Sequence, residues 1–430
     1  MKFNVINLGC KVNAYEAEST AAALEARGYT RCSEDEAADF SVIYTCAVTN
    51  MAAQKSRKIL HRLKRQNPDG FIVAAGCYSQ IEADAMQEAA ILAGTGHKEE
   101  IPALVEQYIR ERKRITAVDP VDEAIPFENM PLDRFESQTR AYLKIQDGCN
   151  QFCSYCVIPY ARGRERSMAP QEVLDTAVRL SEKHREIVLA GIHTGRYGRE
   201  YGLTLADLLE KLLVILPEDF RIRISSIEMT EVDSHLISLM KQDSRIARHL
   251  HIPLQSGCDA TLQRMHRPYT TAEYLQRIKE IRAEIPGISL STDLIVGFQG
   301  ETPEEFADTA AFLKKCAFSF LHVFPFSLRS GTEAEHIPGT VHPQEKKERV
   351  KICTDLSGQL YDSYKSGMIG ASVSVLIEKN EGGYAFGHTS EYLPVYCRGN
   401  AAEGTFINAR ISELKDHTLY AERITEYETE

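Results

Sequence analysis

The stretch "QDGCNQFCSYCVIP", residues 146–159, places Cys149, Cys153 and Cys156 within eight positions. A disulfide uses two cysteines, and a structural zinc site usually closes with four ligands. Three thiolates at this spacing leave one ligand position open, as in a catalytic metal site. The stretch therefore predicts a metal or cluster site that carries out chemistry.

The chain around this stretch alternates between apolar strands and amphipathic helices. Strands are expected at "AYLKIQDG", "REIVLAGI", "RIRISSI", "HLHIPLQ", "GISLSTDLIVGF" and "SFLHVFPF". Helical patterns lie near 170–184, 204–216, 233–242, 259–266, 271–285 and 303–316. Six βα units in this order predict an α/β fold with a parallel, partly closed (βα)6 barrel, whose chemistry lies at the carboxyl ends of the strands. The cysteine triplet directly follows the first of these strands.

A second set of cysteines follows apolar strands near the N-terminus. "KFNVINLG", "DFSVIYT" and "GFIVAAG" predict strands of a buried parallel sheet, and they lead into Cys10, Cys46 and Cys77. Right-handed crossovers place the carboxyl ends of parallel strands along one edge, so the three thiols should meet there. A single cysteine of this kind is more often a buried core thiol. Three at equivalent strand ends favour a second three-thiolate site.

Local signals divide the remainder of the chain. "NAYE" and "SQIE" resemble capping boxes at helix starts. Residues 343–366 predict one amphipathic helix, and alternating strands with glycine turns follow it. We expect an N-terminal α/β sheet domain at 1–118, an acidic linker at 119–139, the barrel at 140–366 and a small antiparallel β-barrel at 367–430.

Composition points to the cytoplasm and gives a mixed signal for nucleic acid. Eleven cysteines without a signal peptide or long apolar run indicate metal ligation or buried thiols. The net charge is −11, and the C-terminal barrel has five basic and ten acidic residues. One helix nevertheless presents a basic stripe, which is either a solvated face or an RNA-binding surface. Its residues are Lys55, Lys58, Arg62 and Arg65.

The triplet chemistry favours iron over zinc. Thiolates suit either zinc or iron–sulfur clusters. A zinc site would require a fourth ligand from a second CxxC or HxxxH pattern, which the sequence lacks. A triplet of cysteines instead leaves one iron of a 4Fe–4S cluster without a protein ligand.

With these motifs in place, the sequence resembles a known family. "CNQFCSYC" resembles the CxxxCxΦC motif of the radical S-adenosylmethionine (SAM) superfamily, with Tyr155 at the aromatic position. "NLGCKVNAYE", "IPYARGRERS", "HIPLQSGCD", "DLIVGFQGET" and "FPFSLRSGT" occur in the order typical of the methylthiotransferases. This resemblance covers nearly the whole chain. "NLGCKVN" is most similar to the branch that acts on threonylcarbamoyladenosine beside the tRNA anticodon.

The resemblance implies cofactors, partners and a reaction. Cys149, Cys153 and Cys156 would bind a 4Fe–4S cluster that cleaves S-adenosylmethionine to a 5′-deoxyadenosyl radical. Cys10, Cys46 and Cys77 would bind a second 4Fe–4S cluster that supplies the sulfur. The radical would remove the hydrogen from adenine C2. A radical is needed because this unactivated aromatic C–H has no acidic proton, so acid–base catalysis does not suffice. The implied partners are the anticodon stem-loop of tRNA and an electron donor such as flavodoxin or ferredoxin. The C-terminal barrel would be a TRAM domain, and we expect a monomer with no membrane contact.

Further site residues follow from position in the resembling motifs. The expected cofactor contacts are Tyr155, Gly191, Gln255, Ser256, Gly297 and Phe324. Three arginines after the cysteine triplet are expected to grip RNA phosphate, namely Arg162, Arg164 and Arg166.

Several alternatives remain open on the sequence. The same chemistry could act on isopentenyladenosine in tRNA or on an aspartate of a small-subunit ribosomal protein. A non-enzymatic iron–sulfur sensor that binds RNA and a zinc protein are the alternatives from other classes.

Overall fold

The structure of the protein is a computed structural model, and it describes residues 1–121, 125–136 and 138–424. The predicted linker and the extreme C-terminus therefore lie partly outside the described residues. The architecture has three parts: a parallel sheet with helices, a partial barrel, and a small closed β-barrel.

The N-terminal part is an all-parallel sheet of six strands in the order β2-β1-β3-β4-β5-β6. Its strands are β1 (Lys2–Asn7), β2 (Thr30–Arg31), β3 (Phe40–Thr45), β4 (Phe71–Gly76), β5 (Ile91–Ala93) and β6 (Ile115–Ala117). Its helices are α1 (Lys11–Ala26), α2 (Asn50–Gln66), α3 (Cys77–Ile81) and α4 (Ile101–Glu111). The three expected strands are β1, β3 and β4, and they are neighbours in the sheet. The sequence did not predict β2, β5 and β6, because two or three residues show no periodicity.

Two helix starts differ from the prediction. Helix α1 begins directly after Cys10, which makes no side-chain cap, and α3 begins at Cys77. "NAYE" consequently lies inside α1, and "SQIE" forms the end of α3 with Glu82 as the C-cap, so the capping-box predictions were wrong. Asn13 and Glu16 are instead buried. Asn13 donates a hydrogen bond to the carbonyl of Thr45, and Glu16 accepts one from Arg162.

The central part is the expected partial (βα)6 barrel. Its parallel strands form two ladders, β7-β10-β11 and β12-β13-β14, which an isolated parallel bridge between Ile222 and Ile246 connects. The strands are β7 (Ala141–Lys144), β8 (Gln146–Asp147), β9 (Arg166–Ser167), β10 (Glu186–Ala190), β11 (Arg221–Ile224), β12 (His249–His251), β13 (Ser289–Val296) and β14 (Phe320–Pro325). Strands β8 and β9 form a separate antiparallel pair.

Eight helices accompany these strands: α5 (Ile158–Arg162), α6 (Pro170–Ser181), α7 (Leu205–Ile215), α8 (Ser234–Gln242), α9 (Asp259–Arg264), α10 (Thr271–Glu284), α11 (Pro303–Cys316) and α12 (Pro343–Gly367). Capping boxes start α7, α10 and α11, where a threonine and an acidic residue bond each other's backbone N–H. Buried aliphatic side chains from the strands, such as Leu189, Ile222 and Leu290, fill the space between strands and helices.

The C-terminal part is a closed barrel in the order β15-β16-β17-β19-β18. Its strands are β15 (Ser372–Glu381), β16 (Tyr384–Thr389), β17 (Pro394–Arg398), β18 (Phe406–Lys415) and β19 (Thr418–Arg423). All pairs are antiparallel except β17 with β19, so a parallel pair closes the barrel. Val375, Val395 and Leu419 form its separate core.

A buried ion cluster joins this small barrel to the amino ends of the central strands. Glu186 at the start of β10 accepts hydrogen bonds from Arg221 (3.2 Å) and Arg223 (2.8 Å). The same guanidiniums donate to the carbonyls of Ser374 (2.8 Å) and Ser390 (2.9 Å). The carboxyl ends of the central strands consequently stay open for the site. None of the helices in the described ranges is long and apolar enough to cross a membrane.

Candidate active site

The first cysteine triplet lies in the loop between β8 and α5, at the carboxyl end of the first barrel strand. Cys149, Cys153 and Cys156 are each partly buried. Burial and the neighbouring thiols raise the pKa of Cys153 and of Cys156 above the ordinary value. The three sulfurs are therefore near enough to interact electrostatically, in a pocket where thiolates need compensating positive charge.

Two basic side chains provide that charge. His193 Nδ1 lies 3.5 Å from Cys149 Sγ, and its Nε2 lies 3.2 Å from a carboxylate oxygen of Glu231. Burial disfavours the charged ring, but these two hydrogen bonds raise the pKa of His193 to about 10. Arg267 donates to Cys153 Sγ at 3.3 Å and is itself bonded to Glu228. Neither basic residue was expected from the sequence, because neither belongs to a cysteine motif.

The second triplet gathers as the sheet topology predicted. Cys46 follows β3, Cys77 follows β4 and Cys10 follows β1 by a short loop, and these strands are adjacent. Burial, together with negative charge on Cys10 and Cys46, raises the pKa of Cys77 to about 11 despite the opposing effect of Arg162. Cys10 is exposed, Cys46 partly buried and Cys77 buried. The three thiols thus form one group that opens toward solvent on the Cys10 side.

The spacing of both triplets fits a cluster rather than a single ion. In the part of the chain that the structure describes, two groups of three side chains bring potential metal ligands within 4.8 Å of one another, and neither contains a cysteine. Thiolates around one tetrahedral zinc ion at about 2.3 Å would lie about 3.8 Å apart. Because the cysteines are spread more widely, their all-sulfur donor sets suit an iron–sulfur cluster, which argues against the zinc alternative.

Arg162 connects the two triplets. Its Nε donates to Cys77 Sγ at 3.2 Å, and its Nη1 donates to Asp147 and to Glu16, both at 3.0 Å. Its Nη2 donates to Asn13 and Glu16. Asp147 lies two residues before Cys149, while Asn13 and Glu16 lie on α1 behind Cys10. One guanidinium therefore connects the N-terminal sheet to the start of the loop that carries the first cysteine triplet. This loop, residues 148–157, is called the radical loop below.

Further buried charges complete this network. Lys144 donates to Glu16 at 2.7 Å and lies 2.7 Å from Asp147, and Lys98 pairs with Glu128. Burial opposes ionisation of Glu16 and Asp147, but Arg162 and Lys144 hold the pKa of both carboxyls below the ordinary values. These paired and hydrogen-bonded buried ions fix the positions of the segments that carry them. Removal of one ion would leave the others buried without a partner.

Two family models match the chain. One is described as the radical SAM superfamily and matches residues 143–313, and the other is described as uncharacterized protein family UPF0004 and matches residues 2–93. The chain is 40% identical over 402 residues to threonylcarbamoyladenosine tRNA methylthiotransferase MtaB of Bacillus subtilis (strain 168), across 91% of this chain and 89% of that protein. The chain belongs to the radical SAM methylthiotransferase family. The protein is therefore an enzyme, and its cofactors are S-adenosylmethionine and 4Fe–4S clusters.

Two further comparisons place the chain within this family and fold. It is 33% identical over 414 residues to a tRNA-2-methylthio-N(6)-dimethylallyladenosine synthase of Pelotomaculum thermopropionicum (strain DSM 13744 / JCM 10971 / SI), across 93% of this chain and 92% of that protein. The radical SAM methyltransferase TsrM from Kitasatospora setae, with cobalamin and a [4Fe-4S] cluster bound, has a similar fold. Its TM-score is 0.57 at 12% identity, over 77% of this chain and 73% of that one. These values confirm the fold class.

The residues expected to contact S-adenosylmethionine lie around the radical SAM loop in different ways. Gly191 follows β10, and an added Cβ would lie 3.0 Å from side-chain atoms of Gln146 and Thr194. Gln255 has a left-handed backbone (φ 66°) that turns the chain after β12. Gly297 (φ 71°) donates its N–H to Glu301 at 2.7 Å. Gly297 directly follows β13, and Gln255 lies four residues after β12, so both bends lie on the carboxyl side of barrel strands.

The other three residues expected to contact the cofactor, Tyr155, Phe324 and Ser256, differ in their surroundings. Tyr155 packs edge-on against Phe298 with ring centroids 6.3 Å apart. Phe324 on β14 is 43% exposed and lies parallel to the ring of His322, so it offers a free face. Ser256 is fully buried, and its hydroxyl faces Thr309 of α11 at 3.3 Å. Its side chain therefore supports α11, and only its backbone remains a candidate for cofactor contact.

The three arginines after the radical loop do not form the expected phosphate grip. Arg162 is fully buried, and its guanidinium nitrogens all donate within the network described above. Arg166 is 9% exposed and donates to Asp147 and to the carbonyls of Pro126, Arg162 and Arg164. The RNA role predicted for both was wrong, because their buried partners are distant in sequence and leave no local signal. Arg164 is exposed over the ring of Phe152.

The basic stripe lies on the outer face of α2, which begins four residues after Cys46. All four of its side chains, Lys55, Lys58, Arg62 and Arg65, are exposed. Within the described residues none of them forms an ion pair with a protein carboxylate. Leu60 and Leu63 are buried beneath them, and Thr49 caps the helix by accepting from Ala52 N at 3.1 Å. The stripe is thus available to a polyanion beside the second triplet.

Exposed apolar side chains surround the site, and no local sequence pattern marks them as a group. Val48 and Met51 follow Cys46, Tyr160 follows Cys156, and Phe324 and Leu328 lie at the end of β14, with exposed fractions between 39% and 77%. Asn50 ties two of these segments together by bonding Ser327 and Leu328. Solvent-exposed apolar residues concentrated around a site mark a binding surface.

Proposed function

We propose that the protein converts N6-threonylcarbamoyladenosine beside the tRNA anticodon to its 2-methylthio derivative, with two 4Fe–4S clusters and S-adenosylmethionine. The observation that carries this proposal is the pair of cysteine triplets joined by Arg162. A sensor would need one cluster, whereas the transfer of sulfur to carbon requires a radical source and a sulfur source at one place. The substrate follows the relative at 40% identity, whose name includes threonylcarbamoyladenosine.

In this proposal Cys149, Cys153 and Cys156 bind the radical SAM cluster, and Cys10, Cys46 and Cys77 bind the auxiliary cluster. When bound, these cofactors would provide one-electron cleavage of one S-adenosylmethionine, for removal of hydrogen from adenine C2, and a sulfur that receives its methyl group from a second S-adenosylmethionine. His193 and Arg267 donate to thiolates of the first triplet, and Arg162 donates to Cys77 of the second. Their positive charge stabilises anionic clusters in a buried setting.

The same site offers what an RNA loop requires. Single-stranded RNA is bound by stacking of unpaired bases on aromatic side chains and by cations along the backbone. Tyr160 is exposed four residues after Cys156, and the α2 stripe and Arg164 add exposed cations. We propose that these groups hold the anticodon loop while Tyr155, Gly191, Gln255, Ser256, Gly297 and Phe324 surround S-adenosylmethionine.

The organisation of the chain follows from this assignment. We propose domains at 1–118, 140–366 and 367–430, with a connecting segment at 119–139. The domain at 367–430 is a TRAM domain. The enzyme would act as a monomer in the cytoplasm, where its tRNA substrate resides, and would receive electrons from a flavodoxin or ferredoxin.

Nucleoside mass spectrometry tests the substrate. Anaerobically reconstituted protein with dithionite and S-adenosylmethionine should convert threonylcarbamoyladenosine in tRNA to the methylthio form. Cys153→Ala should abolish both this product and 5′-deoxyadenosine. Modification of dimethylallyladenosine alone, or of a ribosomal aspartate, would overturn the proposed substrate, and absence of 5′-deoxyadenosine from the wild-type reaction would favour the sensor.

A further inference from the structure

A cavity of about 260 Å³ lies between the inner faces of the last barrel strands and the C-terminal barrel. Strands β12, β13 and β14 contribute His251, Ser291 and His322 to its wall, and Tyr392 of the C-terminal barrel lines the opposite side. Lys11 reaches it from α1. The cavity therefore joins all three parts of the molecule, on the inner side of the partial barrel.

The polar groups in this cavity are not all satisfied by the protein. His249 is 8% exposed, and its Nδ1 has no partner among the described atoms. Lys11 and His322 are more exposed, and neither the ammonium nor the ring nitrogens bond any residue in the described ranges. Buried polar atoms are nearly always paired. The free Nδ1 of His249, with two further unpaired groups facing the same cavity, therefore indicates a ligand with several polar atoms.

Two acidic residues belong to this region, Glu391 in the cavity wall and Asp293 beside it. Asp293 lies 3.3 Å from Nε2 of His251, and Glu391 lies 3.8 Å from Nε of Arg248, while the buried Oε2 of Glu391 has no partner among the described atoms. Lys11 lies beyond ion-pair distance of both carboxylates. The cavity therefore faces both an unpaired ammonium and an unpaired carboxylate oxygen, which suits a ligand that carries an anionic group together with hydrogen-bond donors.

Lys11 also follows Cys10 directly in the chain, and its ammonium is near enough to Cys10 to interact with it electrostatically. An adenine that receives sulfur there must present C2 to the same place. Its N6 substituent then extends sideways, within reach of a neighbouring pocket. A threonylcarbamoyl group carries a carboxylate, a hydroxyl and a urea, whereas a dimethylallyl group is entirely apolar.

We propose that this cavity receives the N6 substituent of the target adenosine and that Lys11 binds its carboxylate. This inference rests on the proposed function and assigns a specificity-determining residue to it. His322, Nδ1 of His249 and Oε2 of Glu391 provide donors and acceptors for the hydroxyl and urea. The cavity thereby distinguishes an anionic, polar substituent from an apolar one, because a dimethylallyl group would leave these polar groups unpaired.

Two matched stem-loop RNAs test this inference. One carries threonylcarbamoyladenosine, and the other carries the carboxamide analogue, which has the same shape without the charge. Wild-type enzyme should prefer the carboxylate RNA by roughly 10- to 100-fold in kcat/KM, the usual range for a charge-assisted hydrogen bond. Lys11→Met should abolish this preference by raising KM for the carboxylate RNA alone, and Lys11→Arg should retain most of it.

Controls separate binding from an effect on the cluster. Lys113→Met removes an exposed lysine elsewhere and should leave the preference unchanged. Iron content and 5′-deoxyadenosine formation without RNA should match wild type in Lys11→Met. If Lys11→Met slows both RNAs equally, or neither, the inference is wrong. Equal wild-type rates on the two RNAs would overturn only the inference, whereas a wild-type enzyme inactive on the carboxylate RNA would overturn the proposed function and the inference together.

Discussion

Nε of Arg162 lies 3.2 Å from Sγ of Cys77, although the two residues belong to different parts of the fold. The same guanidinium donates to Asp147 at 3.0 Å, just before the radical loop. Hydrogen bonds to metal-bound sulfur tune reduction potential and fix ligand orientation. Arg162 therefore bonds a thiol of the second triplet directly and holds the loop of the first triplet through Asp147, so a change at this position is expected to affect both.

Arg162→Met is expected to destabilise the protein by about 3 to 5 kcal/mol, because Glu16 and Asp147 would stay buried without their main cation. Chemical denaturation of the metal-free protein measures this change independently of the clusters. Lys113→Met, at an exposed position away from both triplets, is the control and should change stability by less than about 0.5 kcal/mol. Equal stability of the two variants would contradict the role assigned to Arg162.

Cys77→Ala is expected to separate the two proposed clusters. Iron should fall from about eight to about four atoms per chain, as expected for one remaining 4Fe–4S cluster. 5′-Deoxyadenosine should still form, since the radical triplet is intact, but no methylthio product should appear. Cys32→Ala, a thiol bonded to the carbonyl of Phe3, should retain full iron and product. An unchanged iron content in Cys77→Ala would show that the N-terminal triplet is not a cluster site.

Replacing Lys55, Lys58, Arg62 and Arg65 by glutamine should weaken tRNA binding without affecting the radical chemistry. Each cation that binds a phosphate adds about 0.7 to 0.9 to the steepness of log K against log salt, so removing four should reduce the slope by about 3. Fluorescence anisotropy at several salt concentrations measures the slope, and RNA-free 5′-deoxyadenosine formation checks that the site is intact. Glutamine at the exposed Lys347 and Lys351 of α12 is the control. An unchanged slope would show that α2 is only a solvated face.

Glu186 is expected to make the junction with the C-terminal barrel sensitive to acid. Burial alone would raise its pKa, but Arg223 and Arg221 hold the pKa of Glu186 at about 2, below the ordinary 4.5. Since the folded pKa is lowered, its contribution to stability is complete above about pH 4.5 and is lost as the pH falls toward 2. Thermal melting across this range should show the decline. Glu186→Gln should melt lower at neutral pH and lose less on acidification, and a parallel decline in both proteins would argue against this origin.

The sequence predicted those features that depend on local patterns. Strand periodicity located β1, β3, β4 and the six barrel strands, and sheet geometry then placed Cys10, Cys46 and Cys77 together. Long-range pairing was beyond such reasoning. Asn13 and Glu16 matched a capping pattern, yet they bind Arg162, which lies well over a hundred residues away. Arg162 itself looked like a surface arginine, because nothing in its neighbours indicates burial among carboxylates.

The buried ion network around Glu16, Lys144, Asp147 and Arg162 has a consequence for dividing the protein. Its charges come from both sides of the connecting segment, so each half expressed alone would retain ions without counterions in its interior. We expect the two halves to be insoluble separately and to assemble only when co-expressed. The C-terminal barrel differs in having its own apolar core, and it is joined to the central part by the hydrogen bonds of Arg221 and Arg223.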